Sequence, residues 1–331
     1  MTHTPPAGDP LDALRELVGA GRFADALRSF QELDALQARR RPELMLLAAT
    51  AATRLGDLDT ARSLGEGALG AFRTRGDRDG RMRALNLLGV IGFEQGRLDD
   101  ADAAFSGALA LARELGDSLL VARASNNLAS LNHIRGRATE ALSLFRGALL
   151  SYQRLGDRRG AAETCHNLGL AFRGMARLGD ADDASAQAVR HAELVGEDSL
   201  LALTVTGRAE VHVDGGEIGL AEREVAHAVR LAEAAGDALG VGEARRIRAR
   251  AALKRGDMEA AIRDAEAAGA IAAEHGAAVL EADSAAVLAL AFHANKNPAA
   301  AEQRRQVLDS YRALGAEPLI ERFEREWDEL G

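Results

Sequence analysis

The sequence contains very little cysteine, proline, lysine or aromatic residue. Its 331 residues include one cysteine, six prolines and 4% aromatics, and its only lysines are Lys254 and Lys296. One cysteine excludes an internal disulfide and a cysteine-based zinc site, so we expect a reducing, cytoplasmic compartment. The few prolines and the abundance of Ala, Leu, Arg and Glu favour helices, which must pack through small side chains because large rings are rare.

Positive charge in excess and long apolar runs are also missing. The 41 Lys plus Arg face 50 Asp plus Glu, for a net charge of -9, which argues against nucleic-acid binding because phosphate neutralisation needs a basic surface. No run reaches the roughly 18 apolar residues of a membrane span, and residues 1–10 lack the basic and apolar regions of a signal peptide. We expect neither export nor membrane insertion. The Arg-, Ala- and Gly-rich usage is typical of a GC-rich genome and favours a bacterial source.

Glycines at turns recur with a period of 40 residues. One series is Gly76, Gly116, Gly156, Gly196, Gly236 and Gly276, and a second, displaced by 20 residues, is Gly56, Gly96, Gly136, Gly216 and Gly256. Glycine suits the left-handed position that ends a helix, and the acidic residue that often follows suits the N-terminus of the next helix. Each unit is therefore predicted to be two helices and two turns.

Small residues repeat at fixed positions of each unit. The second helix carries Ala61, Ala101, Ala141, Ala181, Ala221, Ala261 and Ala301, and seven residues later Ala68, Ala108, Ala148, Ala188, Ala228 and Ala268, with Leu308 as the exception. The first helix carries Ala49, Gly89, Ala129, Gly169, Ala209, Ala249 and Ala289. Small side chains in register predict helix crossings at the close limit of roughly 8 Å.

Residues 126–149 resemble a tetratricopeptide repeat. The family's small and aromatic positions are matched by Leu128-Ala129, Gly136, Ala141, Phe145 and Ala148. The 40-residue spacing is similar to the longer variant in kinesin light chains, polarity adaptors and bacterial sensor proteins, although the family's Trp/Tyr positions and terminal Pro are mostly lost. The resemblance implies an all-α, right-handed α-solenoid of antiparallel helix pairs, about seven to eight repeats plus a C-terminal capping helix. It also implies a concave groove lined by the first helix of each repeat.

The turns divide the chain into four segments. We predict a disordered tail at residues 1–8, a partial helix pair at 9–40, seven repeats at 41–315 and a capping helix at 316–331. The apolar stripe of that helix is Leu319, Ile320, Phe323, Trp327 and Leu330, and Glu321, Arg322, Glu324, Arg325 and Glu326 are expected to face water. A solenoid needs such a cap to cover its last repeat. The alternative is that this helix folds back into the groove as a pseudo-ligand.

No set of residues predicts catalysis. The glycines Gly65, Gly67 and Gly70 match a dinucleotide fingerprint but fall inside a predicted helix instead of a strand-turn-helix. Cys165 and His166 are adjacent on a helix and point about 100° apart, so they cannot hydrogen-bond side chain to side chain. We predict no enzyme, no metal and no cofactor.

Polar side chains line the predicted groove at matching registers. Asn86, Asn126 and His166 share one register, and Asn127 and Asn167 share the next. An amide donates and accepts, so a ladder of Asn side chains can hold the backbone of an extended peptide. The alternative is that these Asn residues join helices or are simply solvated. The predicted peptide-binding residues are Arg83, Asn86, Phe93, Arg123, Asn126, Asn127, Ser130, His133, His166, Asn167, Leu170, Arg173, Arg246 and Arg250.

Arginines on the groove-facing side of the first helices favour an acidic partner segment. Arg83, Arg123 and Arg173 precede the pair Arg246 and Arg250, and arginine pairs well with carboxylates. Glu94, Glu163, Glu210, Asp214 and Glu243 lie on the same stripes, so a mixed, solvated surface remains the alternative.

Three functional hypotheses follow. The first is a non-enzymatic, cytoplasmic adaptor that binds an extended or helical segment of another protein in its groove. The second is a regulatory sensor that binds a small signalling peptide or anion and changes superhelical pitch. The third is a self-assembling scaffold, for which homo-oligomers would be expected.

Overall fold

The computed structural model describes residues 9–33 and 40–330, and the regular elements in these ranges are α-helices. The predicted tail at residues 1–8 lies outside the described residues. Following the chain, the helices are α1 (Pro10–Gly19), α2 (Phe23–Gln31), α3 (Pro42–Arg54), α4 (Leu58–Arg75), α5 (Arg78–Glu94), α6 (Leu98–Leu115), α7 (Ser118–Ile134), α8 (Ala138–Leu155), α9 (Arg158–Gly174), α10 (Leu178–Val195), α11 (Asp198–Asp214), α12 (Ile218–Ala235), α13 (Ala238–Arg255), α14 (Met258–Glu274), α15 (Ala278–Ala294), α16 (Ala300–Leu314) and α17 (Glu317–Leu330). The all-α solenoid predicted from the sequence is confirmed.

The chain divides into two compact units, which are described separately. The first comprises residues 1–95 and 99–117, and the second comprises residues 96–98 and 118–331. In the first unit, α3 packs against α1, α2, α4 and α5. In the second unit each helix from α7 to α16 packs against the helix that follows it. Both units therefore have cores built mainly from neighbours in sequence, as expected for stacked repeats.

Two rows of helices make up most of the second unit. The first helices of its repeats, α7, α9, α11, α13 and α15, each contact the next, and we call them the inner row. The second helices, α8, α10, α12, α14 and α16, form the outer row and approach one another far less. Because one row is more tightly spaced than the other, the inner row is the concave side of this unit.

The Gly-Asp turns work through two complementary helix caps. Gly156 has φ +70°, the left-handed conformation that ends α8, and the Asp157 carboxylate accepts a hydrogen bond from the Gly160 backbone N–H at 2.9 Å, which caps the start of α9. Asp57, Asp77, Asp237 and Asp257 cap their helices in the same way. At two positions of the second turn series a side-chain-bearing residue takes the glycine conformation: Ala176 with φ +57° and Lys296 with φ +53°.

The repeated alanines are the sites of closest packing. Ala61, Ala101, Ala141, Ala181, Ala221 and Ala261 are all fully buried. The prediction for Ala301 was wrong, because it is exposed, while Ala300 is 7% exposed. Gly315 follows Gly276 by 39 residues rather than 40, so the register of the last repeat shifts by one position. Val307 accordingly packs fully buried beside Leu308.

None of the helices within the described residues is both long and apolar enough to cross a membrane.

Candidate functional site

The predicted groove residues fall on two different units. Arg83, Asn86 and Phe93 lie on α5 of the first unit. The exposed Arg83 donates from Nε to the Asp79 carboxylate at 2.8 Å, one helical turn away. The other predicted residues lie on α7, α9 and α13, which belong to the inner row of the second unit. The candidate site is therefore described on the second unit alone.

Two of the predicted asparagines hydrogen-bond each other. Asn126 on α7 is buried, and Nδ2 of Asn167 on α9 donates to its side-chain oxygen at 3.3 Å. The hydroxyl of Ser130 donates to the Asn126 carbonyl at 3.2 Å. The Asn126–Asn167 hydrogen bond joins the first two helices of the inner row, while Asn127 and Asn167 remain half-buried at the surface.

Two histidines of the inner row each pack over a glycine of the next inner helix. A β-carbon on Gly174 would lie 2.8 Å from Cε1 of His133, and one on Gly207 would lie 2.3 Å from Nδ1 of His166. Burial lowers the pKa of each imidazole to about 4, with a further lowering by the nearby Arg173. Both rings are therefore neutral at physiological pH.

A network of buried ion pairs crosses the middle of the inner row. Nη1 of Arg173 on α9 lies 3.0 Å from Glu210 and 3.0 Å from Asp214, which sit one turn apart on α11. From the other side, Nη1 of Arg246 donates to Glu210 at 3.0 Å and Nη2 of Arg250 donates to Asp214 at 2.9 Å. Burial opposes ionisation of Glu210, but the arginines hold its pKa well below the ordinary value.

This network changes the interpretation of the predicted arginines. Arg173, Arg246 and Arg250 were expected to be available to carboxylates of a partner, and the structure instead pairs them with acidic residues of neighbouring repeats. Their guanidinium groups are largely removed from water, so a charge placed there must be neutralised within the protein. Arg83 lies in the first unit and Arg173 is paired within the network. Arg123 is therefore the predicted arginine of the second unit that is exposed.

The C-terminal helix α17 adds residues to the site that sequence reasoning placed elsewhere. Arg322 and Glu326 were expected to face water, but Oε1 of Glu326 accepts from Nη2 of Arg250 at 3.1 Å, and Arg322 lies 4.0 Å from Asp283 of α15. The Trp327 ring stacks on His293 of α15 with centroids 4.0 Å apart. Asp283 follows Glu243 by one 40-residue repeat and therefore shares its register. This spacing could have predicted that Asp283 lies on the inner row.

Helix α17 touches both ends of the inner row. It packs against α15 and α16, and also contacts α7, the first helix of the row. At that end Pro318 lies beside Gly136, just after α7, and Ile134 packs against the apolar cluster that holds Ile320 and Phe323. The helix therefore covers part of the concave side of this unit in addition to its last repeat.

The start of the inner row carries exposed side chains. Arg123, Glu163 and Leu203 occupy the same register on α7, α9 and α11. Arg123 is exposed, Glu163 is half-buried, and Leu203 is 39% exposed. This strip, which we call the open strip, presents a cation, a carboxylate and an aliphatic side chain in sequence next to the Asn126–Asn167 pair.

The sequence motifs that resembled nucleotide-binding or catalytic motifs lie in the helical framework. Gly65, Gly67 and Gly70 lie inside α4. Burial raises the pKa of the Cys165 thiol to about 11, which keeps it protonated at neutral pH. Over residues 9–33 and 40–330, no three His, Cys, Asp or Glu side chains are grouped to hold a metal ion.

Known structures share this fold. A Rap protein complexed with competence and sporulation factor superposes with a TM-score of 0.78 at 14% identity, covering 93% of this chain and 86% of that one. NprR in complex with its cognate peptide NprX gives 0.61 at 14% identity, covering 90% and 87%. Aspartyl phosphate phosphatase F from Bacillus subtilis gives 0.62 at 16% identity, covering 85% and 73%. Among curated protein sequences, none matches the chain.

The repeat itself is recognised in the sequence. The tetratricopeptide-repeat family model matches residues 80–146 and 120–193. The matched region includes the 126–149 segment. Helix pairs of similar length follow it in the structure as far as α16. Residues 80–193 of the chain therefore consist of tetratricopeptide repeats.

Proposed function

We propose that the chain is a non-enzymatic regulatory protein that binds a short peptide segment on the concave side of its second unit. The observation that carries this proposal is the open strip, where Arg123, Glu163 and Leu203 stand at one register on three successive inner helices. Side chains spaced at the repeat interval can each meet a successive part of an extended ligand.

Amide groups beside the strip supply main-chain contacts. Asn126 uses its side-chain oxygen for Asn167, and the Asn167 amide retains its own oxygen and a second N–H for a ligand. Asn127 lies half-buried on the same surface. We propose that Asn127 and Asn167 hold the peptide backbone and that Asn126 positions Asn167.

The charge of the partner follows from the exposed arginine. Because Arg173, Arg246 and Arg250 are paired internally, Arg123 is the side chain proposed to meet a carboxylate of the peptide. Leu203 is proposed to contact an apolar side chain further along it. The preferred ligand is thus a peptide with an acidic residue followed by an apolar residue.

Support for a non-catalytic role comes from the state of the reactive groups. The buried carboxylates of the inner row accept from arginines and serve as ion pairs, and the Cys165 thiol is held protonated by burial. Among the proteins that share the fold, NprR is named in complex with its cognate peptide, which supports a peptide-binding role.

The binding test uses an array of synthetic peptides of about ten residues, with each hit remeasured by isothermal titration calorimetry. We expect acidic-apolar peptides to bind wild type, to bind Arg123→Ala more weakly, and to bind Arg123→Glu most weakly because repulsion is added to lost attraction. The affinity should fall as salt rises, since groups at the rim are screened over about 8 Å at physiological ionic strength. Arg263→Ala is the control, because Arg263 is exposed on α14 of the outer row. Equal affinities for all four proteins would contradict the proposal.

The contacts of α17 favour a sensor, which changes shape on binding, over a static adaptor. Helix α17 contacts both α7 and α15, the two ends of the inner row, so movement of α17 would change what holds these ends together. Small-angle scattering of the full chain with and without a bound peptide distinguishes the two, since a static adaptor keeps its dimensions.

A further inference from the structure

The surface under α17 has the properties of a second docking surface. It consists of Arg250 on α13, Asp283 and His293 on α15, and the end of α7 at Ile134. Each of these groups is met by a residue of α17. The surface therefore already holds a helix, and the chemistry of that helix describes what fits there.

Helix α17 meets this surface through three side chains on one face. Arg322 lies near Asp283, Glu326 accepts from Arg250, and Trp327 stacks on His293 with an interplanar angle of 13°. Arg322 and Glu326 are four residues apart and thus one turn apart along the helix. A cation, a carboxylate one turn later and an adjacent aromatic ring are the features that this surface recognises.

Few side chains of α17 are buried for a helix of its length. Of the 14 residues in α17, only Ile320 and Phe323 are buried. Elements with few buried side chains open at a lower free-energy cost than the core of a domain. Release of α17 would take Glu326 from Arg250, which keeps Asp214, and Arg322 from Asp283, which keeps the Tyr311 hydroxyl. Each charge would lose one partner, which a ligand of the same chemistry can replace.

Unsatisfied hydrogen-bonding groups at this surface favour the replacement of α17 by a ligand. Nε of Arg250 and Nε2 of His293 are buried and have no hydrogen-bond partner within the described residues. Buried polar atoms in native proteins are usually satisfied, and α17 satisfies neither of these two. A ligand with additional acceptors or donors at these points would gain contacts that α17 lacks.

We infer that α17 is an internal ligand and that a helical peptide of the same chemistry takes its place on this surface. The incoming peptide presents an arginine to Asp283, a carboxylate one turn later to Arg250 and an aromatic ring to His293. This inference rests on the proposed function, because it adds a second contact region for the peptide partner. Its recognition groups Arg250, Asp283 and His293 lie on α13 and α15, whereas the open strip lies on α7, α9 and α11.

The test uses the full chain and a synthetic peptide with the sequence of residues 316–331. The peptide carries a fluorescent label and Phe in place of Trp327, so that Trp327, the only tryptophan of the chain, reports on its own α17. In the variant Glu326→Arg the internal carboxylate is lost and a cation faces Arg250. We expect its Trp327 emission to move to longer wavelength and the peptide to bind it at least tenfold more tightly than it binds wild type.

Matched changes separate the docking face from the rest of α17. Glu321→Arg reverses a charge on the exposed face of the same helix, so we expect neither an emission shift nor peptide binding. A peptide that itself carries Arg at position 326 should not bind the Glu326→Arg chain. The milder Glu326→Gln variant should show the same order of effects if Glu326→Arg melts far below wild type.

The outcomes distinguish this inference from the proposed function. Unchanged Trp327 emission and equal, weak peptide binding by wild type, Glu326→Arg and Glu326→Gln would overturn the inference and make α17 a fixed cap, while array peptides that depend on Arg123 would leave the proposed function standing. Binding of the 316–331 peptide to the variants without any Arg123-dependent peptide would instead contradict the open strip and support the surface under α17.

Discussion

The Glu326 carboxylate and the Arg250 guanidinium, 76 residues apart in the chain, are joined by a hydrogen bond of 3.1 Å on the concave side of the second unit. Most contacts of a solenoid join neighbouring repeats, whereas this one passes over the last helix pair, α15 and α16, and joins α17 to α13. Arg250 also donates to Asp214 at 2.9 Å, so α17 extends a network that starts at Arg173.

The close helix crossings make a packing prediction. Ala141→Leu and Ala221→Leu should each lower the free energy of unfolding by about 1–3 kcal/mol, because both sites are fully buried and overpacking forces the helices apart. Ala301→Leu is the matched control, since the sequence register places it with these alanines but the residue is exposed. Thermal melts should show no loss for Ala301→Leu, and an equal loss at all three sites would contradict the one-residue shift.

The left-handed turn at Ala176 predicts a stabilising substitution. Ala176 has φ +57°, and a residue with a β-carbon pays about 1–2 kcal/mol there, which glycine avoids. Glycine loses more entropy on folding, so we expect Ala176→Gly to raise the unfolding free energy by about 0.5–1 kcal/mol. Ala110→Gly, at an exposed position inside α6, should lower it by about 1 kcal/mol. Chemical denaturation of both variants measures the two signs, and destabilisation by Ala176→Gly would refute the assigned turn.

The buried network predicts a large cost for removing one carboxylate. Glu210 is 3% exposed and is paired with both Arg173 and Arg246. Glu210→Gln should destabilise the chain by up to about 3–5 kcal/mol, because two buried cations each lose one of their counter-charges. Glu259→Gln removes an exposed partner of Arg263 and should cost less than about 1 kcal/mol. Urea titration compares them, and similar midpoints would contradict a desolvated network.

The inner histidines predict a pH dependence of stability. The pKa of His166 is lowered from 6.5 to about 4, chiefly by burial, so between these values the unfolded state binds more protons and the free energy of unfolding falls as the pH falls. The slope is about 1.4 kcal/mol per pH unit for each such group. His166→Asn should therefore lose less stability than wild type between pH 7 and pH 5.

The comparison needs controls for other titrating groups. Burial raises the pKa of Glu243, which acts in the opposite direction, so the variants and wild type are compared with each other at each pH. His227→Asn changes an exposed histidine of α12 and should follow wild type. Parallel curves for all three proteins would contradict a neutral His166 in the folded state.

Periodicity predicted the fold well because each repeat packs mainly against its neighbours in the sequence. The spacing of Gly156 and the register of Ala141 are local properties, and the helices around them follow. The exception at Ala301 arises from a single missing residue after Gly276, which no average period reveals. Helix propensity and turn chemistry act over a few residues. They predict where the helices and turns lie, but they do not predict where α17 docks.

The site was less predictable because its chemistry is shared between repeats. Arg246 and Arg250 were recognised on the inner stripe, but a stripe does not tell whether a cation meets a partner or a neighbouring carboxylate. Glu210 and Asp214 had been placed on the same stripes, and only the distances show that they neutralise the arginines. The polar face of α17 was assigned to water because its contact with α13 depends on the curvature of the whole unit.

Hydrogen–deuterium exchange of the full chain, with and without an array peptide that binds it, tests peptide recognition by the concave side most directly. We predict slower exchange in α7, α9 and α11 around Arg123, Asn167 and Leu203, and unchanged exchange in the outer helices α8, α10 and α12. Slower exchange confined to the outer helices, with the inner row unaffected, would contradict the account.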